Sequence, residues 1–436
     1  MEYVRVGLLG LGTIGSGVSE ALLDGGYRQR IEKRYGVIPV LARAYDTDDE
    51  KLQAIPPEAR CESAKKLLDD PEVDVVVELI GIPGGDYTPA NDFMLGALER
   101  GKQVVTANKA VLAQYGEDIF SRAREKDLCV GFEASVCGSI PIINILKQSV
   151  DEIESVSGIF NGTTNYILTR MGEDLDYMDA LIEAQQKGFA EADPTSDLEG
   201  IDAAQKLAIL ARLAFNIRAD ALSKEGITGV DKGDLGYART LSNPCTVKLI
   251  AMAKKHDGKL ELGVYPVMVP ESHQLASVRN ETNAVYVVGE HFGPQIYTGK
   301  GAGKEPTADA VMRDIVDVGR CMATGKTNLP ALNDEKLEVL DPGEVEYPFY
   351  LRFSAVNVPG VLARIAGVLG DMYKINIVSA NQPGNNPQGE PADIVIVTDP
   401  TKYGNMRKAL DEIKRVEKKG TKIVAGSKAF RIFDGA

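Results

Sequence analysis

The 436-residue sequence has no tryptophan and only three histidines, His256, His273 and His291. Histidine is the usual proton shuttle near neutral pH, so any acid–base chemistry here must draw mainly on lysines and carboxylates. Cysteine is nearly as scarce: Cys61, Cys129, Cys137, Cys245 and Cys321 are scattered, with no C-x-x-C pair. That spacing argues against a zinc site or a disulfide framework and fits a reducing compartment. Long apolar runs are missing too, none approaching the roughly 18–20 residues that span a bilayer. The opening MEYVRVGLLGLG enters an apolar strand at once, without the basic stretch and cleavable segment of a signal peptide. The cytoplasm is the expected location, with no membrane partner. No long basic run occurs and the net charge is −14, which repels phosphate backbones and excludes nucleic acid as an expected partner.

What is present is a hydrophobic fraction of 44% and a charged fraction of 26%, the balance of a globular protein long enough for two to four domains. Short apolar runs at VRVGLL, IPVLARAYD, VDVVVELIG, KQVVTANK and LCVGFEA alternate with helical segments over the first third. That rhythm predicts an α/β, Rossmann-type doubly wound parallel sheet over 1–139. From about residue 140 helical patterns dominate (Pro141–Gln148, Tyr177–Lys187, Asp197–Phe215, Pro244–Lys255), interspersed with strands at SVSGIFN, KLELGVYPVMV and NAVYVVGEHF. This predicts an α+β substrate-binding and dimerisation domain over 140–302, with a helix in 303–330 packing back on the first domain. An acidic stretch at 331–346, interrupted by Pro342, reads as a linker. Beyond it, 347–436 alternates strand, helix, strand, strand, helix, strand, a ferredoxin-like unit.

Gly10-Leu11-Gly12-Thr13-Ile14-Gly15 follows a strand and opens a helix, the context that makes G-x-G-x-x-G a dinucleotide-binding signal. Gly10 permits the turn, Gly12 admits a pyrophosphate and Gly15 lets helix and strand pack closely, with helix N–H groups facing the phosphates. At the end of the second strand Arg43 could pair with a 2′-phosphate and Asp46 with a ribose hydroxyl, so NADP and NAD both stay open. Lys109 ends the V-V-T-A-N-K run, where loops at the carboxyl ends of parallel strands line the ligand crevice. In EADPTSDLEGIDAAQK, Ser196 and Glu199 form a candidate capping box, while Asp202 and Lys206 share one helix face. As a surface pair these two would mean little, but the apolar residues after them suggest a buried helix. Asn161-Gly162-Thr163-Thr164-Asn165 could offer N–H and hydroxyl groups to a substrate, or serve as a plain polar cap.

Together these segments resemble homoserine dehydrogenase over essentially the whole chain. VGLLGLGTIGSGV, ELIG, VVTANK, EASVCGSIPII, GIFNGTTNYIL, EADPTSDLEGIDAAQKLAIL and GKGAGKEPTADAV appear in order. The last segment, with PGVLARIAGVLG after a strand, resembles an ACT domain. The resemblance implies interconversion of L-aspartate 4-semialdehyde and L-homoserine with NADH or NADPH, and at least a homodimer. It places the catalytic lysine on Lys206, its acidic partner on Asp202, a further catalytic candidate on Lys109 and the substrate-amine glutamate on Glu191. Gly162, Thr163 and Asp197 complete the expected substrate contacts. Cofactor contacts fall on Leu11, Thr13 and Ile14 of the glycine turn, with Arg43, Lys109 and Gly303 besides. A monovalent cation, sodium in most relatives, would sit on Glu133, Val136, Gly138 and Ile140, mostly through carbonyls. Two departures stand out: Cys137 replaces a small apolar residue, and Lys304-Glu305 replaces a neutral stretch.

With histidine scarce, an ammonium is the natural acid, and Lys206 is the expected donor with Asp202 orienting it. The ACT-like loop Asn357–Leu362 implies feedback, with threonine as the effector to test. Two other readings remain open on sequence alone. Cys137 could be the nucleophile of an acylating aldehyde dehydrogenase, or the chain could be a nucleotide- and amino-acid-sensing protein without activity.

Overall fold

In the computed structural model, five parallel strands carry the first third of the chain: β1 (Glu2–Leu9), β2 (Val37–Tyr45), β3 (Val75–Glu78), β4 (Gln103–Thr106) and β5 (Val130–Gly131). The structure describes residues 2–81, 85–217, 222–329, 337–383, 387–415, 417–418, 421–422, 424–433 and 435. The spatial order is β2-β1-β3-β4-β5. Val75, Val76 and Val77 are fully buried, as expected of a parallel strand covered on both faces. The order reverses between β1 and β3, which places the ligand crevice beyond their carboxyl ends.

The molecule divides into two compact units, Met1–Glu152 with Gln205–Ala219 and Tyr297–Lys336, and the remainder. In the first unit the 21-residue helix Lys304–Thr324 buries Ala308, Val311, Ile315 and Val318 against Val4, Val6, Val18 and Val37. Gly319 makes this approach possible, because a Cβ there would stand 2.5 Å from a Val4 methyl.

The second unit is built on one long mixed sheet. Cys245–His256, which the helical pattern over Pro244–Lys255 assigned wrongly, is a strand. It pairs antiparallel with Lys259–Pro270 through all twelve residues, from Cys245↔Pro270 to His256↔Lys259. The run is apolar on both faces, so it carries no alternation that would separate it from a buried helix. The deciding signal is the Asp257-Gly258 pair between the runs, with φ of 46° and 78°, the two-residue turn that matches strand twist.

The module over Phe349–Ile432 has the ferredoxin-like order expected. Its strands Val424–Ile432, Phe349–Val356, Pro391–Thr398 and Ile377–Asn381 lie side by side in that sequence. Helices Val361–Gly367 and Tyr403–Ile413 bury Ile365, Met406 and Ala409 in the core that also contains Ile394 and Ile396. The module does not stand apart from the preceding sheet. Arg431 and Ile432 pair in parallel with Val267 and Met268, and one hydrophobic core runs from Ile159 and Ile250 to Phe353 and Phe433. The segment before it is laid down in register too, with Glu338 and Val339 pairing against Lys259 and Leu260.

Candidate active site

The cofactor half is assembled at the β1–β3 switch point. Gly10 has φ 92°, and a Cβ there would lie 2.5 Å from the Leu79 carbonyl oxygen. At Gly15 a Cβ would fall 2.0 Å from the Gly10 oxygen, so helix Thr13–Leu23 closes on the turn only because neither residue has a side chain. Gly12 is different: nothing lies within 4 Å of the position its Cβ would take. It caps the helix with no side-chain hydrogen bond, leaving the first-turn N–H groups without a side-chain acceptor. An open approach to uncapped helix N–H groups fits a pyrophosphate. Thr13 is exposed, Ile14 half-buried and Leu11 buried.

Asp46 and Arg43 are both engaged. The Leu11 N–H donates to Asp46 Oδ2 at 2.5 Å and the Asp48 N–H to its Oδ1 at 2.9 Å. Arg43 Nε meets Asp70 at 2.6 Å, and its Nη1 donates to the Ala42 carbonyl at 2.7 Å. A second uncapped helix begins beside the first: Gly303, at φ 124°, caps Lys304–Thr324 without a side-chain hydrogen bond. Lys304 pairs with Glu20 at 2.7 Å, and a Cβ on Gly17 would lie 3.0 Å from that of Ala308.

Lys109 opens helix Lys109–Glu125, its N–H bonded to the Ala107 carbonyl at 3.0 Å. The turn beneath it is pinned by a carboxyl that sequence reasoning passed over. Glu78 is fully buried at the end of β3. It accepts from Thr106 Oγ1 at 2.7 Å and from the Ile80 N–H at 2.8 Å, while Thr106 Oγ1 accepts from the Asn108 N–H. Burial pushes the Glu78 carboxyl above the usual range, opposed by these hydrogen bonds.

Val136, Gly138 and Ile140 lie in an irregular segment with two successive left-handed residues, Cys137 (φ 54°) and Gly138 (φ 51°). The Ser139 N–H reaches the Lys300 carbonyl at 3.0 Å, and a Cβ on Gly138 would meet Gly301 at 2.8 Å. The Glu133 carboxylate is already occupied by the N–H groups of Ile143 and Asn144, at 2.8 and 3.0 Å. Burial raises the Glu133 carboxyl. Cys137 is 1% exposed. His256 is bound to Glu261 at 2.9 Å, and His273 has its ring edge-on to Tyr286 and Phe433.

A polar cluster gathers around Asn161, which caps helix Gly162–Gly172 by accepting the Thr164 N–H at 2.8 Å. Its amide nitrogen donates to both Asp197 Oδ1 at 2.7 Å and Asp202 Oδ2 at 2.9 Å. The cap was legible in the sequence; its reach to two carboxylates 36 and 41 residues away was not. Gly162 sits where a Cβ would be 2.6 Å from the Glu281 carbonyl. Thr163 donates its hydroxyl to the Phe189 carbonyl at 2.6 Å, so toward a substrate it is an acceptor. Glu191 lies exposed two residues beyond.

Asp202 and Lys206, 5% and 8% exposed, stand one turn apart on helix Ile201–Phe215. The capping box expected at Ser196 and Glu199 does not form. Ser196 lies inside the short helix Thr195–Leu198, Glu199 accepts from the Thr228 hydroxyl at 3.3 Å, and Gly200 at φ 73° separates that helix from the next. A left-handed residue between them breaks the continuous helix on which the box depended.

Family models match three successive parts of the chain. The homoserine dehydrogenase NAD-binding domain matches residues 10–133, homoserine dehydrogenase matches 141–316 and the ACT domain matches 349–415. A homoserine dehydrogenase from Bacillus subtilis is 37% identical over 96% of both chains, and one from Pseudomonas aeruginosa 39% identical over 91% of this chain and 92% of its own. The crystal structure of a homoserine dehydrogenase from Thiobacillus denitrificans superimposes with a TM-score of 0.89 at 38% identity, over 100% of this chain and 99% of that one. A hyperthermophilic archaeal homoserine dehydrogenase in complex with NADPH gives a TM-score of 0.62 at 25% identity, over 76% of this chain and 100% of that one. With its dinucleotide turn, its buried Asp202–Lys206 helix and its ACT module, the chain belongs to the homoserine dehydrogenase family.

Proposed function

We propose that in the reduction of L-aspartate 4-semialdehyde to L-homoserine Lys206 gives the proton to the carbonyl oxygen, with Asp202 orienting its ammonium. The observation that carries this is the bond from Asn161 to Asp202 and Asp197, which ties the Lys206 helix to the N-terminus bearing Gly162 and Thr163. The nicotinamide cofactor, when bound, supplies the hydride. Glu191 holds the substrate ammonium, Gly162, Thr163 and Asp197 position its polar groups, and Lys109 polarises the carbonyl from the cofactor side. Gly10, Leu11, Gly12, Thr13, Ile14, Gly15 and Gly303 hold the dinucleotide. Lys206→Ala lowers kcat by about 10²–10⁴, the size of a lost general acid. Near-normal kcat in phosphate-free aspartate semialdehyde with NADH or NADPH overturns the assignment.

NAD is the preferred cofactor on this reading. Asp46 holds a negative charge against the glycine turn, and Arg43, the candidate phosphate reader, is paired with Asp70. Parallel rates with NADH and NADPH decide it. The segment with Glu133, Val136, Gly138 and Ile140 is the site for a monovalent cation, through backbone carbonyls since the Glu133 carboxylate is occupied. Loss of activity on replacing sodium and potassium by a bulky organic cation tests it.

Threonine is the proposed effector at the ACT module, where a cavity of about 390 Å³ is lined by Asn357, Pro359, Leu362, Gln382 and Gln388. Calorimetry with threonine, absent heat counting against it, is the test. The module boundaries are 1–139 with 303–330, 140–302 and 347–436, joined through 331–346. A homodimer is supported by the exposed Val378 on the strand Ile377–Asn381 at the end of the sheet and by Met178 and Ile182 on one helix; a monomer by light scattering removes it. Among the described residues no helix is long and apolar enough to cross a membrane, and all five cysteines are free, which supports a cytoplasmic location.

A further inference from the structure

Strand Cys245–His256 carries one charged residue into the core. Lys248 is 2% exposed, between Val247 and Leu249. Its ammonium donates to the Asn165 side-chain oxygen at 2.9 Å and to the Val278 carbonyl at 2.5 Å. Among the described residues it meets no carboxylate within ion-pair distance, and the charged group that acts on it, Arg279, is of like sign and is itself paired with Glu173. Burial accordingly lowers the Lys248 amine to about 7. A methionine would fill this place without the desolvation cost, so fold stability alone does not account for a lysine here.

The consequence lies in Asn165. The Val278 and Thr282 carbonyls can only accept, so the amide turns its NH₂ toward them and its oxygen toward Lys248, whose nitrogen carries a hydrogen to donate in either protonation state. The NH₂ then donates to the Val278 and Thr282 carbonyls, at 3.3 and 3.2 Å. Segment 278–283 is thereby drawn against the first turn of helix Gly162–Gly172. Asn283 donates to the Phe160 carbonyl at 2.9 Å, the Asn280 N–H reaches Thr169 Oγ1 at 3.1 Å, and the Glu281 carbonyl abuts Gly162.

We propose that Lys248 is a positioning residue of the substrate site: through Asn165 it fixes segment 278–283 against the Asn161–Asn165 turn and so sets where Gly162 and Thr163 meet the substrate. This rests on the substrate roles given to Gly162 and Thr163 above. It concerns a lysine that touches no reacting atom, distinct from Lys206 and Lys109.

Lys248→Met and Asn165→Ala break the same bridge from opposite sides. In full-length protein each raises KM for homoserine about tenfold, the size of a lost hydrogen bond to a charged group, with KM for the dinucleotide unchanged. The double variant is no worse than the poorer single one, since both act through one contact. Amide hydrogen exchange read on the same variants accelerates at 161–165 and 279–283 but not at 10–15. Should Lys248→Met fail to fold, Asn165→Ala carries both measurements. Unchanged KM together with unchanged exchange overturns the proposal. Accelerated exchange in a protein whose wild type does not oxidise homoserine overturns the substrate reading instead and leaves the Lys248 bridge standing.

Discussion

The Asn161 side chain makes four hydrogen bonds: its oxygen accepts from the Thr164 N–H and hydroxyl, and its amide nitrogen donates to Asp197 and Asp202. Two of these are to carboxylates, bonds worth about 1.5–3 kcal/mol each. Asn161→Ala should lower kcat/KM for homoserine by about 10²-fold while leaving dinucleotide binding intact, measured by steady-state kinetics and cofactor titration; Asn161→Asp should fare no better, since it sets a third carboxylate against two. Lys248 gives a prediction about pH. Its amine titrates near 7 when folded and near about 10.4 when unfolded. Between those values the unfolded chain holds a proton that the folded chain does not, so this residue's contribution to stability rises with pH across that window and its penalty is full below 7. Denaturation midpoints of wild type should therefore gain on those of Lys248→Met as pH goes from 7 to 10; a pH-independent difference would refute it. At the cofactor edge, Asp46→Asn keeps an acceptor for the Leu11 N–H and removes the charge. The expected outcome is a higher kcat/KM with NADPH and little change with NADH.

At the scale of elements, the three glycines of the first turn should fail differently. Gly15→Ala drives a methyl to within 2.0 Å of the Gly10 oxygen, so it should lower Tm by several degrees. Gly12→Ala meets nothing in the free protein and its φ of −67° suits alanine. Its Tm should hold while KM for the dinucleotide rises, because the methyl occupies the pyrophosphate's approach. Equal Tm losses in both would contradict this geometry. The parallel sheet, this turn and the ferredoxin-like module were legible because each rests on local pattern: apolar runs, glycine spacing and alternation of strand and helix. Cys245–His256 was misread because a strand buried on both faces has no period of two, and the Asp257-Gly258 turn went unweighed. Gly200 likewise marks a helix boundary inside the segment Asp197–Phe215 that reads as one helix. Asp202 and Lys206 were legible as a pair on one helix face from their spacing, and the apolar residues after them pointed to the burial that is found. Glu78 with Thr106, Asn161 with its two aspartates, and Lys248 with Asn165 were not, since each joins residues 28 to 83 positions apart and a single sequence records no such pairing.

For the whole molecule, the ACT module shares a sheet and a core with the strands Cys245–His256 and Lys259–Pro270 of its unit. Deleting 347–436 would strip Val267 and Met268 of a neighbouring strand and expose Ile250 and Tyr265, which now lie in that common core. Removal of the module should therefore cost solubility or several degrees of Tm in the remainder, read by thermal melting. A truncated protein as stable and active as the full chain would show the two parts to be independent.

The same strand pairing orders events in time. Arg431 and Ile432 close beside Val267 and Met268, about 160 residues earlier in the chain. On a ribosome adding about 5–20 residues per second, the Lys259–Pro270 strand waits many seconds before that neighbour emerges. During the wait the stretch of its edge at Val267 and Met268 is a template for any other unpaired strand. Slow synthesis between residues 270 and 432 should thus favour aggregates of nascent chains, and fast release should favour soluble enzyme.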